Sequence, residues 1–293
     1  MPRQSRIDAP GALHHVIMRG IDKKPIFRDN ADRDNFVERL KNILKDGASF
    51  CFAWSLMPNH VHLLLKTGKT SISTIMRRLL TGYAVYFNRK HDRAGHLFQN
   101  RYKSILCQED TYLLELVRYI HLNPLRAGIV PDLESLDRYR YSGHATIIGK
   151  EINDWQTTDY VLDNFSNKLS SARRQYRKFI QKGISAGKRP DLVGGGLVRS
   201  VGGWQALKEL RRRKAYMKGD ERILGDSDFI QDVLQSCQDK YEHKYLLKAK
   251  GYDFDTVVAR VAETLGIEKA DVLSAGRQPI RVKARRLLCF WAS

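Results

Sequence analysis

Two histidines one residue apart are the first residues that could do chemistry. In Pro58-Asn59-His60-Val61-His62-Leu63-Leu64-Leu65 the run reads as a strand, and strand side chains repeat every second residue. His60 and His62 therefore share a face while Val61 points the other way. Two imidazoles side by side can bring two ring nitrogens to one divalent ion. By itself H-x-H is a modest signal, and it needs partners. These come 57 residues later in Arg118-Tyr119-Ile120-His121-Leu122-Asn123-Pro124. On a helix Tyr119 and Asn123, four apart, share a face, whereas His121 falls about half a turn away. A tyrosine hydroxyl is a competent nucleophile towards phosphorus when a metal neutralises the phosphate, and the Asn123 amide oxygen can complete the metal shell. A helix tyrosine is by default a half-buried packing residue, and the chain has 13 tyrosines. Tyr119 carries this reading only in company with the histidines.

The elements that must hold these residues follow from periodicity. Ala12 to Gly20 reads as a strand, Asn30 to Lys45 as an amphipathic helix with Asn30 as its N-cap, and Ser49–Met57 with His60–Lys66 as a hairpin turning at Pro58-Asn59. Ser71 to Arg89 is a second helix, Arg101 to Gln108 a strand, and Thr111 to Arg126 a third helix whose last turn Asn123-Pro124 should distort. The order β-α-β-β-α-β-α predicts an α+β fold, a ferredoxin-like split βαβ sandwich with helices on one face of an antiparallel sheet, over residues 1–150. Residues 151–203 read as a basic helical linker ending in Gly194-Gly195-Gly196, and residues 204–293 as a smaller all-α domain without strands.

Charge narrows the partner. The chain has 293 residues, 51 Lys+Arg against 32 Asp+Glu, a net charge of +19. An acidic partner is implied, nucleic acid first. The four cysteines form no C-x-x-C pair, which argues against a zinc ribbon or a disulfide framework and for a reducing cytoplasm. The polar N-terminus and the lack of any apolar run near ~20 residues predict no membrane insertion.

Five ordered motifs now carry a resemblance: HHVIMRG, IFRDNADRDNF, MPNHVHLLL, GHLFQNRYKS at 95–104 and YIHLNPLRAGIV at 119–130. Through them Ala12 to Val130 resembles the single-tyrosine HUH transposases, and most closely the REP-associated tyrosine transposases of bacteria. The resemblance implies Mg2+ or Mn2+ held by His60 and His62, with Asn123 as third ligand, and Tyr119 as the nucleophile on single-stranded DNA at hairpin-flanked repeat sites. A 5′-phosphotyrosine link and a free 3′-hydroxyl would result. It implies a bacterial cytoplasmic protein associated with the nucleoid. Two other settings stay open: a domesticated repeat-DNA-binding protein without productive cleavage, and a replication initiator or relaxase.

For the DNA itself, Arg101, Tyr102 and Lys103, with Tyr83 and Tyr86 nearby, offer cations and stacking groups; Phe87 reads as core. Arg173, Arg174, Arg177 and Lys178 could track a backbone, as could Arg211 to Lys214. His14 and His15 are adjacent on a strand, face opposite ways, and are assigned no ligand role. Glu221 to Asp226, Ala275-Gly276-Arg277 and Ala284 to Leu288 resemble a DnaA-like helical extension, in which a recognition helix would follow; the sequence ends at Ser293, before one is expected.

Overall fold

A strand with partners on both edges anchors the sheet. β1 (Leu13–Arg19) pairs antiparallel with β3 (His60–Lys66) on one side and β4 (Lys103–Cys107) on the other. β2 (Phe50–Met57) lies outside β3, to which the Pro58-Asn59 turn joins it, and a two-residue β5 (Ile223–Leu224) lies outside β4. The order β2-β3-β1-β4-β5 is that of the expected split βαβ sandwich with one strand added. The structure is a computed structural model that describes residues 7–8, 11–187, 189, 192, 220–237, 254–276 and 278–291. It divides into two compact units, Met1–Gln231 and Asp232–Ser293.

Two helices cover one face of the sheet. α1 (Asn30–Asp46) starts from Asp29, one residue earlier than the expected cap: Asp29 has the extended backbone, and its carboxylate accepts from the Asp32 amide. α2 (Ile72–Lys90) is capped by the Ser71 hydroxyl accepting from Thr74 N–H. Phe36, Leu40, Ile75, Leu79, Tyr83 and Phe87 from these helices pack with Val16, Met18, Val61, Leu63 and Leu65 of the sheet.

The other face is covered too, which departs from the one-faced sandwich. It presents Leu13, Ala53, Leu64 and Ile105, an apolar set that needs its own cover. α3 (Glu109–His121) supplies it with Leu113, Leu116, Val117 and Ile120. The helix breaks at Leu122 and resumes as α4 (Asn123–Arg126), as the proline predicts. Short helices α5 (Leu133–Asp137), α6 (Gly143–Ile147) and α7 (Asp159–Leu162) lead to α8 (Leu169–Lys182).

α8 corrects the reading of 151–203 as a linker. Ala172, Tyr176 and Ile180, four apart, line one buried face and join the core under α3. Within that core the Tyr176 hydroxyl lies 2.7 Å from His121 Nδ1 and 3.1 Å from His144 Nδ1; His144 Nε2 meets Asp137 at 2.8 Å, and Arg177 Nε donates to the other Asp137 oxygen at 2.7 Å. The stripe and this polar chain tie α8 to the sheet domain.

β5 corrects the expectation that no strand lies beyond residue 204. Ile223 and Leu224 are fully buried; Leu106 N–H donates to Arg222 O and Gln108 N–H to Leu224 O, both at 2.8 Å. The open edge of β4 needed acceptors, and this segment provides them. Within Glu221 to Asp226, Ile223 and Leu224 thus extend the sheet, and Asp226 accepts from Phe229 N–H where a helix begins. In the second unit the helices Phe254–Leu265, Lys269–Leu273 and Pro279–Trp291 share buried Val258, Val261, Ala262, Val272, Ala284 and Leu288. The glycine run 194–196, the pattern at 204–218, Arg211 to Lys214 and part of 226–248 lie outside the described residues.

Candidate active site

The histidine pair stands on the α3 side of the sheet. His60 lies opposite Arg19 and His62 opposite Ile17, with their ring centroids 5.4 Å apart. Burial drives the His62 imidazole well below its usual range, with His15, His60 and Arg19 adding to it; burial and then Arg19 bring His60 to about 4. Both rings are neutral at physiological pH, and a neutral ring has a lone pair to give.

Which nitrogen holds that pair follows from the partners. The Asn59 amide donates through Nδ2 to Lys23 O at 3.0 Å, so its oxygen faces His60 Nδ1 at 2.7 Å. His60 must donate from Nδ1, leaving the lone pair on Nε2. His62 Nδ1 lies 2.9 Å from His15 Nε2, and its Nε2 is open to a ligand in the tautomer whose proton is on Nδ1. This donor set suits a divalent ion.

Tyr119 arrives from α3. Its ring centroid is 5.7 Å from that of His62 and 5.9 Å from that of His15, both edge-on. The Leu116, Val117 and Ile120 side chains seat the helix on the sheet and so fix the tyrosine beside the histidines. Asn123 opens α4, half-buried, and its side-chain nitrogen is buried without a hydrogen-bond partner among the described residues. Rotation of the amide exchanges N for O, so the group is suited to a ligand that protein atoms do not provide. His121 points into the Tyr176 network instead.

Three further residues of the site escaped the sequence reading. His14 and His15 cannot pair along one strand; the relevant pair runs diagonally across two strands, from His15 opposite Leu64 to His62 opposite Ile17. Asn59 lies within the motif already singled out. Arg126 has its guanidinium 5.6 Å from the centre of the Tyr119 ring, and two of its nitrogens, Nε and Nη1, are buried with no hydrogen-bond partner among the described residues. Nη2 donates to Gly183 O at 3.2 Å. Burial lowers the Arg126 pKa and Tyr119 opposes that shift. The spacing Tyr119, Asn123, Arg126 (i, i+4, i+7) was a readable signal for it.

The proposed DNA contacts separate. Lys103, opposite Ile17, is on the histidine face and exposed. Arg101 and Tyr102 instead line a cavity of about 600 Å3 beside α2, with Arg77, Leu80, Val85, His96 and Phe98. Tyr102 is only 8% exposed and belongs to the α1/α2 core. Tyr83 is a correction: it is fully buried on the far side of the sheet from His62, donating its hydroxyl to Ile26 O. Phe87 is core, as read. On α8, Arg174 and Lys178 are exposed, Arg173 is half-buried, and Arg177 is held by Asp137. Asp29, Asp32 and His91 also cluster, at the α1–α2 end, where Lys90 Nζ already sits 2.7 Å and 2.9 Å from the two carboxylates. Among the described residues no helix is long and apolar enough to cross a membrane, and all four cysteines are free.

Residues 10–123, which include His60, His62, Tyr119 and Asn123, match a family model for transposases, enzymes that process DNA. That model describes the IS200-like transposases. The chain is similar to a REP-associated tyrosine transposase bound to a REP hairpin, with 16% identity over 54% of this chain and 92% of that one and a TM-score of 0.42. It is also similar to a candidate transposase from Deinococcus radiodurans R1, with 21% identity over 41% and 95% and a TM-score of 0.29. No curated protein matches the chain.

Proposed function

We propose that the sheet domain, with residues 1–150 at its heart, cleaves and rejoins single-stranded DNA at hairpin-flanked repeat sites, with Tyr119 as nucleophile. The observation that carries this reading is the seating of Tyr119 edge-on against His62, a contact between a helix and a strand that both lie within the matched residues 10–123. The Tyr119 oxygen bonds to phosphorus as the P–O3′ bond breaks. The tyrosine proton ends, directly or by relay, on the departing 3′-oxygen, and the 5′-phosphate stays on the protein. Attack by another 3′-hydroxyl reverses the exchange without ATP.

His60 and His62 through Nε2, with the Asn123 amide, would hold Mg2+ or Mn2+. Such an ion supplies charge neutralisation at the scissile phosphate. Arg126 adds a cation of the protein's own: its unpaired N–H groups beside Tyr119 suit a phosphate oxygen or the tyrosine oxygen as charge gathers there. Lys103 stands on the same face to meet the strand, while Arg101, Arg174 and Lys178 would meet DNA further out. The protein would act in the bacterial cytoplasm, at the nucleoid.

The test is incubation of the protein and its Tyr119→Phe variant with labelled single-stranded hairpin DNA from repeats flanking the gene, with Mg2+ or Mn2+, on a denaturing gel. A covalent adduct lost with the variant and with EDTA is expected. Tight binding with no adduct under either metal would select the DNA-binding reading instead.

A further inference from the structure

His15 has a partner that gives it a task. β1 and β3 run antiparallel with Ile17 opposite His62 and Leu64 opposite His15, so the two histidines are diagonal neighbours on one face. Their nitrogens, His15 Nε2 and His62 Nδ1, are 2.9 Å apart, and their rings are stacked at 5.2 Å with 26° between the planes. Both side chains are buried, His15 completely. One of the two nitrogens must carry the proton, and the choice decides what His62 can do. If His15 donated, the His62 proton would sit on Nε2, and the ring would have no lone pair to offer beyond this bond. If His62 donates from Nδ1, Nε2 is bare.

We infer that His15 is a positioning residue for the site: it accepts the His62 Nδ1–H hydrogen bond, and so fixes both the ring plane of His62 and the tautomer that leaves Nε2 free for a divalent ion. The neighbouring histidine supports the pattern. His60 is held in the same tautomer by a different acceptor, the Asn59 amide oxygen, whose orientation is set in turn by the bond to Lys23 O. Each member of the pair thus has its own acceptor behind it, a turn residue for one and a residue of the adjacent strand for the other. Metal-bound histidines generally need such a partner, and its loss weakens metal affinity by about 10- to 100-fold. His15 also touches Tyr119 edge-on, so the one ring braces the histidine and the tyrosine together.

The inference rests on the proposed role of His62 as a metal ligand, and the experiment separates the two. Long-range 1H–15N spectra of the metal-free full chain report the His62 tautomer, and titration with Mn2+ followed by the EPR signal of the free ion reports affinity. Both are run on the wild type, His15→Gln, which keeps an acceptor at the same reach, and His15→Leu, which does not; circular dichroism confirms that each is folded. The wild type and His15→Gln should show Nδ1-protonated His62 and Mn2+ affinities within about threefold of each other, whereas His15→Leu should populate the Nε2–H form and bind at least about tenfold more weakly. An Nε2–H tautomer in the wild type, His15→Leu binding Mn2+ as tightly as the wild type, or His15→Gln failing as badly as His15→Leu would each overturn the inference. A wild type that binds no Mn2+ would sink the metal reading of the site, and the tautomer spectra would still decide what His15 does.

Discussion

Tyr119 and His62 meet edge-on, centroids 5.7 Å apart with 78° between the rings, although one comes from a helix and the other from a strand 57 residues earlier. The contact is made by burial on either side of it: Leu116, Val117 and Ile120 press α3 onto a sheet face that Leu13, Leu64 and Ile105 make apolar. As the proposed nucleophile, a tyrosine placed this way would be held before any DNA arrived, which would lower the entropy cost of reaction.

Tyr119→Phe should therefore separate chemistry from binding. The phenyl ring keeps the edge-on contacts, so stability should change by no more than about 1.5 kcal/mol, and fluorescence anisotropy should give an affinity for single-stranded hairpin DNA within about twofold of the wild type. A variant that loses DNA binding outright would show that the tyrosine anchors the strand instead of attacking it.

Arg126→Gln should slow covalent adduct formation in single turnover by about 100-fold, the usual cost of losing one charge-stabilising donor, with DNA affinity little changed. An unchanged rate would remove Arg126 from the site.

Lys103→Ala tests the histidine face as the path of the strand. If Lys103 meets one phosphate, the slope of log affinity against log salt should become shallower by about 0.7. An unaltered slope would place the backbone elsewhere.

Acid should weaken the fold in a defined window. Burial holds the His14 pKa near 4 against 6.5 for the free side chain, and His14 contacts the Ser104 hydroxyl at 3.2 Å. Above pH 6.5 neither the folded nor the unfolded state is protonated there, and the full stability is present. Between pH 6.5 and about 4 only the unfolded chain takes up the proton, so stability falls as pH falls, by about 3 kcal/mol in total from this residue. Urea denaturation of wild type and His14→Gln across that range should show a steeper decline for the wild type; parallel declines would assign the acid sensitivity to other groups.

Tyr176→Phe should destabilise the sheet domain by about 1–3 kcal/mol, because His121 and His144 both lose a buried hydrogen-bond partner. Mn2+ affinity should be unaffected, since that network does not include His60 or His62. A parallel loss of metal binding would mean that α8 supports the active site directly.

What the sequence determined by itself was local. The period-two run at His60–His62, the hairpin at Pro58-Asn59, the two helices of the sandwich and the break before Pro124 depend on neighbours a few residues away, so they were legible, and the sheet order follows from their succession. What only the tertiary structure decided depends on residues far apart in the chain. His15 could be excluded from pairing with His14 but not recognised as a partner of His62, because that depends on the register of β1 against β3. In the sequence α8 reads as a charged connector because its arginines dominate the composition, while its three buried residues at four-residue spacing, Ala172, Tyr176 and Ile180, acquire meaning only against α3. Ile223 and Leu224 are too few to announce a strand, and it is the open edge of β4 that makes them one. Short-range periodicity is written in the order of residues, whereas an acceptor for a buried N–H can come from any part of the chain that folding brings near.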